Sequence, residues 1–306
     1  MSAPGLSFSK KPLLNKHKFS LTDFSLILAT VIWGSDYPFA KIALKEISPL
    51  SFSAARTLLA AAALIPFFLK QERSWKVSRR DFIYLVILAC FGTFLNRICW
   101  SVGLSLSSAA NAALLMTTSP IFVLIASAVL FRSSVTWRAT TGILVAFGGV
   151  FLVIRGDLKG WDSSSDHFLG DLILLGAAVS WALFTALAKF LLKDYSSLKV
   201  TAYVMAVGSV LFIPFLPNEN PGGWSGISAL AWFSVFYVGL SGNCLAYFLW
   251  MKGIQNIGPL RTILYSYLMP ITAVAFSIPL LGEAVTGAQV WGGLIVFLGI
   301  FLARSG

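Results

Sequence analysis

Residues 21–48 read LTDFSLILATVIWGSDYPFAKIALKEIS, and residues 169–196 read LGDLILLGAAVSWALFTALAKFLLKDYS. Laid over each other, they match Asp23 with Asp171, Trp33 with Trp181, Ala40 with Ala188, Lys41 with Lys189, Lys45 with Lys193, Glu46 with Asp194 and Ser48 with Ser196. Downstream the correspondence continues: Trp100 with Trp250, Gly103 with Gly253, Pro120 with Pro270, Thr136 with Thr286, Gly142 with Gly292 and Gly149 with Gly299. Self-similarity held at a nearly fixed offset is the mark of an internal repeat. The chain therefore reads as two copies of one unit.

Each copy is mostly apolar. Of 306 residues, 57% are hydrophobic and 11% charged, with a mean hydropathy of +0.82, whereas about a quarter of a soluble chain is charged. A soluble globular enzyme is excluded. Apolar runs occupy residues 21–40, 50–69, 82–104, 109–131, 139–154, 170–192, 199–216, 229–251, 260–281 and 288–303. Each approaches the roughly 20 residues that span a bilayer as a helix. They are continuous, not the alternating segments of a barrel, and a helix pairs its own backbone groups in lipid. The expected fold is all-α integral membrane, with ten transmembrane helices as two inverted five-helix repeats. The inversion follows because five is odd, so the second copy enters the membrane from the opposite side. The expected divisions are a cytoplasmic tail 1–20, a first repeat 21–155, an extracytoplasmic linker 156–169 and a second repeat 170–306. No small-residue cleavage site follows the first run, which reads as a retained span.

Lys and Arg fix the expected orientation. With a cytoplasmic N-terminus the inner segments carry Lys10, Lys11, Lys16, Lys18, Lys70, Arg73, Lys76, Arg79, Arg80, Arg132, Arg138, Lys193, Lys199, Lys252, Arg261 and Arg304. The outer ones carry only Lys41, Lys45, Arg155 and Lys159. Both termini are expected inside, in a bacterial inner membrane. The net charge of +11 is thus a topology signal and not a nucleic-acid footprint. Cys90, Cys99 and Cys244 lie in apolar runs and form neither a disulfide framework nor a spaced metal site. No phosphate loop, no His-Glu-x-x-His and no Gly-x-Ser-x-Gly is present. ATP hydrolysis, a zinc protease and a serine hydrolase lose their signatures. Neither a catalytic residue nor a cofactor or metal is expected.

Three stretches resemble the EamA-type drug/metabolite transporters: WGSDYPFAKIAL at 33–44, SSAANAALLMTTSPIFVLIASAVLF at 107–131 and IGPLRTILYSYLMPITAVAFSIPLLGEAVTGAQVWGGLIVFLGIFLA at 257–303. The resemblance covers roughly residues 21–303 and is similar in kind to the aromatic amino acid exporters. It implies ten helices, a central cavity between the halves, and export or exchange of small metabolites without ATP. Two departures stand out. The family often has Asn where this chain has Asp36, and often Gly-Glu where it has Arg132 and Ser133, keeping the pair only at Gly282 and Glu283.

Charge inside a bilayer costs about 2.5–3.5 kcal/mol at a helix centre, so each intramembrane charge calls for a reason. Asp36 and Arg97 fall at a similar depth, with Arg56 near enough to join them. Asp36 is expected to pair with Arg97 or Arg56 when substrate is absent, with substrate or a proton competing for the pair. The other reading is a fixed ion pair that holds three helices together, with Arg56 snorkelling to the interface. Asn96, Arg97 and Trp100 on the third span, and Asn243, Tyr247 and Trp250 on the eighth, form similar patterns. With Trp33, Trp181, Thr185 and Tyr265 they are candidate cavity walls, apolar with a few hydrogen-bonding groups. Interfacial belts are the alternative for Trp100 and Trp250. Lys41, Lys189 and Glu283 are candidate mouth or gate residues, or else anchors and caps. Pro120 and Pro270, expected mid-helix, are candidate hinges or static kinks.

The expected function is secondary active transport of a small metabolite, an amino acid or related zwitterion, by alternating access. The alternatives are exchange of phosphorylated metabolites or nucleotide sugars through Arg97, Lys41 and Lys189, and, from another class, a membrane enzyme or lipid-handling protein. Expected partners are the substrate, the bilayer and protons as the coupling ion, with no nucleic acid. Small residues on the fifth and tenth spans suit close helix packing, leaving a monomer or weak dimer.

Overall fold

A computed structural model of the chain describes residues 20–72, 74–131, 137–156, 166–218 and 224–304, and every regular element among them is helical. Expectations about the tail before residue 20, about Arg132 and Ser133, and about most of the 156–169 linker lie outside the described residues. The first repeat holds α1 (Leu21–Ala43), α2 (Pro49–Gln71), α3 (Arg79–Ala89), α4 (Asn96–Leu106), α5 (Ala109–Met116), α6 (Ser119–Phe131) and α7 (Trp137–Gly156). The second holds α8 (Asp166–Leu191), α9 (Ser197–Phe212), α10 (Ala229–Tyr237), α11 (Tyr247–Ile257), α12 (Pro259–Thr262), α13 (Met269–Leu281) and α14 (Gly287–Arg304). π-helical segments, Cys90–Leu95 and Val238–Ala246, join α3 to α4 and α10 to α11.

Serines set the helix starts. Ser20, Ser48, Ser78, Ser108, Ser196 and Ser228 each accept a backbone N–H in the first turn that follows them, which satisfies a donor with no partner within the helix. Ser48 and Ser196, and Ser78 and Ser228, are repeat mates, so the duplication extends to the caps. Seven helical stretches among the described residues are long and apolar enough to cross a membrane: 49–71, 79–106, 109–126, 166–191, 197–215, 229–257 and 259–281. Shorter apolar stretches lie at 140–153 and 287–299. Helix α1 is long enough, but Thr30, Ser35 and Asp36 interrupt its apolar character and are buried inside the protein.

Contacts reveal how the copies face each other. Along α1 and the α10–α11 stretch, Asn256 Nδ2 donates to Thr22 Oγ1 at 3.0 Å, Trp33 Nε1 to the Gly242 carbonyl at 3.0 Å, and Ser228 N and Oγ to Glu46 at 2.7 Å each. The two therefore run antiparallel. The same ladder recurs between α8 and the α3–α4 stretch. There Gly170 packs on Gly103, Asn96 Nδ2 donates to the Ala177 carbonyl at 2.9 Å, Ser180 Oγ to that of Phe91 at 2.7 Å, and Tyr195 OH to Asp81 at 2.8 Å. Lys41, near the end of α1, donates to the Ser107 carbonyl, and the Ser107 hydroxyl donates to Asp171 near the start of α8 at 2.5 Å. Thus α1 finishes where α8 begins, and the two run in opposite directions. One end of the bundle carries Glu46, Ser107 and Glu283, the other Tyr195, Asp81 and Tyr265.

The ladders cross the π segments at repeat-related glycines. A Cβ on Gly242 would overlap the Asp36 carboxylate, and one on Gly92 would overlap the Phe184 ring and lie 2.5 Å from the Tyr247 hydroxyl. Asp36 and Phe184 are themselves repeat mates. Pro120 and Pro270 correct the expectation of mid-helix kinks. The chain breaks at the Thr117–Thr118 turn and in a 3-10 stretch, Ile263–Leu268, and each proline sits in the opening turn of the helix that follows. An opening turn tolerates proline because its N–H has no intrahelical partner there. Gly282, in the left-handed conformation at φ 67°, ends α13 and turns the chain toward Glu283. Helices α7 and α14 meet through small residues, Gly149 against the Gly292 carbonyl and Gly299 against Ala146, the packing that substitutes for a hydrophobic driving force in lipid.

Gly242→Ala and Gly92→Ala should each lower stability by about 1–3 kcal/mol through overpacking, read as a fall in Tm. Gly176→Ala and Gly148→Ala, where a Cβ meets nothing within 4 Å, should be neutral or mildly stabilising. Equal effects at all four positions would show that the crossings are not tight. At the Glu46 end, the backbone and side-chain hydrogen bonds from Ser228 hold the Glu46 carboxyl below the ordinary glutamate value of 4.5. A depressed carboxyl stabilises above that value and loses its contribution as pH falls below it. Tm curves against pH for the native chain and Glu46→Gln should therefore converge on the acid side, and parallel curves would remove the clamp.

Candidate functional site

Helical spacing turns Trp33, Asp36, Tyr37 and Ala40 of α1 onto one buried face. Facing them, α4 supplies Asn96, Arg97 and Trp100, α2 supplies Arg56 and α8 supplies Trp181. The chain breaks contribute Met116, the last residue of α5, and Met269, the first of α13. These ten side chains, Ala40 aside, line a cavity between the two repeats.

Its charges are buried and fixed. Asp36 is 3% exposed, Arg56 1% and Arg97 7%. Arg56 lies flat between rings, its guanidinium carbon 4.6 Å from the Trp100 centroid and 4.9 Å from that of Phe52, an arrangement favourable to a cation. Its Nη2 donates to Ser101 Oγ at 3.2 Å, Ser101 shares a 2.7 Å bond with Ser53, and Ser53 donates to the Arg97 carbonyl at 3.1 Å. Arg97 lies 5.4 Å from the Tyr247 ring centroid. The expected ion pair is not formed. Lys41 and Glu283, away from this centre, do form an ion pair, at 3.6 Å. Asp36 Oδ1, Arg56 Nε, and Arg97 Nε and Nη2 have no hydrogen-bond partner in the protein. Such groups are costly to bury unpaired, and a polar guest carrying both signs of charge would complete them.

Aromatic rings frame this polar centre. Trp33 meets Trp181 edge-on at 5.3 Å and Trp250 at 5.0 Å, Trp181 meets Tyr247 at 5.6 Å, and Tyr37 meets Trp100 at 5.2 Å. Of the residues expected in the cavity, Trp33, Asp36, Asn96, Arg97, Trp100 and Trp181 line it. Thr185, Asn243 and Tyr247 stand behind, fully buried, and their side-chain polar atoms also have no partner. Tyr265 is a correction: its hydroxyl donates to Asp23, at the far end of α1. Phase along the helix, not apolar context, decides that placement.

Lys41 and Glu283 are brought together as one cluster at the Glu46 end. Glu283 Oε1 accepts from the Ala109 N–H at 3.1 Å and Oε2 from that of Ala110 at 3.4 Å, so it caps α5 while pairing Lys41. Asp171, 1% exposed, accepts from Ser107 and from Asn111 Nδ2 at 3.1 Å, and Gln289 Nε2 donates to Asn111 Oδ1 at 2.8 Å. Lys189, the repeat mate of Lys41, is half-buried near the end of α8. Sequence reasoning weighed Arg56 as a snorkelling cation and did not weigh Tyr37, Gly92, Gly242 or Asp171. The Asp36–Phe184 and Gly92–Gly242 correspondences were available as a signal. No group of three or more potential metal ligands occurs among the described residues.

Known proteins support the architecture. A solved crystal structure matches 93% of this chain and 96% of its own at a TM-score of 0.68 and 18% identity, a likeness of fold. The "Uncharacterized transporter YyaM" of Bacillus subtilis is 30% identical across 90% of this chain and 91% of its own length. The "Probable terminal-alkyne amino-acid exporter" of Streptantibioticus cattleyicolor is 24% identical across 93% and 94%. The EamA-like transporter family model matches twice, at residues 20–155 and again at 168–305, one match per repeat. The chain belongs to the EamA-like transporter family, and its general function is transport rather than enzymatic chemistry.

Proposed function

We propose that the chain is a secondary active transporter that moves an amino acid or related zwitterion outward, by rocking two inverted five-helix repeats around the Asp36–Arg56–Arg97 cavity. One observation carries this reading: a carboxylate and two guanidinia, buried together between the repeats, have unpaired polar atoms and no ion pair among themselves. An α-amino acid offers a carboxylate to the guanidinia and an ammonium to Asp36, while the tryptophan walls take its side chain. The relative named as a probable amino-acid exporter points the same way.

Ten spans, both termini cytoplasmic and a bacterial inner membrane complete the proposal, with the chain acting as a monomer or weak dimer. The helix breaks before Pro120 and Pro270 place Met116 and Met269 beside the cavity, as interrupted helices do at transporter midplanes. Motion at these breaks opens one mouth while the Lys41–Glu283–Asp171 cluster closes the other. Asp36, the cavity's carboxylate, carries the coupling proton when substrate leaves. A second reading has one observation in its favour: Arg56 joins Arg97 in the site, as two guanidinia would for a phosphorylated substrate. Lys41 belongs to the Glu283 cluster and gives that reading no contact.

Purified protein should be stabilised thermally by zwitterionic amino acids, because a ligand selective for the folded state raises its apparent stability. Asp36→Asn or Arg97→Gln should weaken that binding by about 10- to 100-fold, the worth of a charge-assisted hydrogen bond. Stabilisation by phosphorylated compounds alone, lost in Arg56→Gln, would replace the amino-acid reading with the anion exchanger.

A further inference from the structure

A second cavity lies on the bundle's flank, away from the charged centre. Ala61, Ile65 and Phe68 of α2 form one wall, Ala202 and Tyr203 of α9 the other, and Trp75 the roof. The alanines withdraw where neighbouring side chains stand out, leaving a groove between two membrane-length helices. Ile65 is 51% exposed on its rim, so the groove opens toward the surface that lipid covers.

The roof is built. The Trp75 ring packs on Phe68 at 4.7 Å, and the Tyr203 hydroxyl donates to the Trp75 carbonyl at 2.6 Å. Lys199, one turn before Tyr203 and buried, donates from Nζ to the carbonyls of Ser74 and Lys76, each at 2.9 Å. Its charge is thus met by carbonyls rather than by a carboxylate. Lys76, the residue after Trp75, is exposed. The acids of this segment are committed elsewhere: Glu72 accepts from the Ser196 hydroxyl, and Asp81 from Ser78 and Tyr195.

Comparison with the repeat mate isolates what is special here. Residues 70–81 read KQERSWKVSRRD, whereas 217–231, with Trp224 in the place of Trp75, read PNENPGGWSGISALA and contain no Lys or Arg. Basic charge therefore collects beside this roof and is absent from its counterpart. An apolar slot beneath an interfacial tryptophan, followed in the chain by a basic segment, matches a molecule with an acyl chain and a negative head.

We propose that the groove between α2 and α9 seats an acyl chain of an anionic phospholipid, whose headgroup phosphate lies on Lys76 at the edge of the Trp75 strap. The lipid then touches both repeats at the Tyr195 end, since the strap follows α2 of the first and is bonded to α9 of the second. The inference requires the chain to sit in a bilayer and is independent of what the central cavity carries.

Native mass spectrometry of the full chain, released from nanodiscs of mixed phosphatidylcholine and phosphatidylglycerol, tests this. One phosphatidylglycerol should be retained in preference to phosphatidylcholine. Lys76→Gln should reduce that preference about fivefold, from about 1 kcal/mol per basic residue near an anionic surface, and Lys70→Gln, on the opposite face of α2 from Ala61, Ile65 and Phe68, should leave it unchanged. Ala202→Leu should abolish retention by filling the groove, and Ala61→Leu fills it from the other wall should the first variant fail to fold. Equal retention of both lipids, or retention unchanged by either filling, would overturn the proposal. Displacement of the lipid by inorganic phosphate alone would also overturn it, by making the site one for a free anion.

Discussion

Three charges buried together without an ion pair are the constraint on which the rest of the structure depends. A carboxylate and two guanidinia inside an apolar bundle are tolerable only where other groups do part of water's work. Arg56 has two aromatic faces and the Ser101–Ser53 relay; Arg97 has the Tyr247 ring. The remaining polar atoms are held ready without being satisfied. Their rigidity comes from packing, because Asp36 is wedged against Gly242 where a π-helical segment crosses α1.

The duplication makes the charged centre easier to interpret. At corresponding places the first repeat supplies Asp36 and Arg97 where the second supplies Phe184 and Tyr247. Asp36 sits against Gly242 and Phe184 against Gly92, so one crossing is built twice, once with charge and once with a ring. Geometry is shared and chemistry is not. Under the proposed function, two inverted copies would open the frame in two equivalent ways around a single carboxylate. The ends differ likewise: Lys41, Glu283 and Asp171 close one with a buried polar cluster, and the other joins Tyr195 to Asp81 and Tyr265 to Asp23.

Helical class, duplication and the polar face of α1 were legible because each is a matter of period and offset. Trp33 aligned with Trp181, and Ser48 with Ser196. What was not legible depended on three-dimensional phase or on backbone detail. Arg56 looked like a cation within reach of the interface, and only the packing of α2 on α4 turns it inward between Phe52 and Trp100. Tyr265 looked like a cavity wall, yet the 3-10 stretch before Pro270 shifts its phase and sends its hydroxyl to Asp23. Pro120 and Pro270 marked discontinuities correctly, but a proline cannot say whether it bends a helix or opens a new one. The π segments leave no period in the sequence at all; the paired glycines at 92 and 242 were their only trace.

The central claim is that the Asp36–Arg56–Arg97 cavity faces each side of the membrane in turn. The most direct measurement is a single cysteine at Met116 or Met269, with Cys90, Cys99 and Cys244 replaced by alanine, labelled in vesicles by a membrane-impermeant thiol reagent. Added separately to each face, the reagent should label the cysteine from both, and an amino acid should slow both reactions. Labelling from one face only, whatever ligand is present, would contradict alternating exposure and leave a fixed, one-sided pocket.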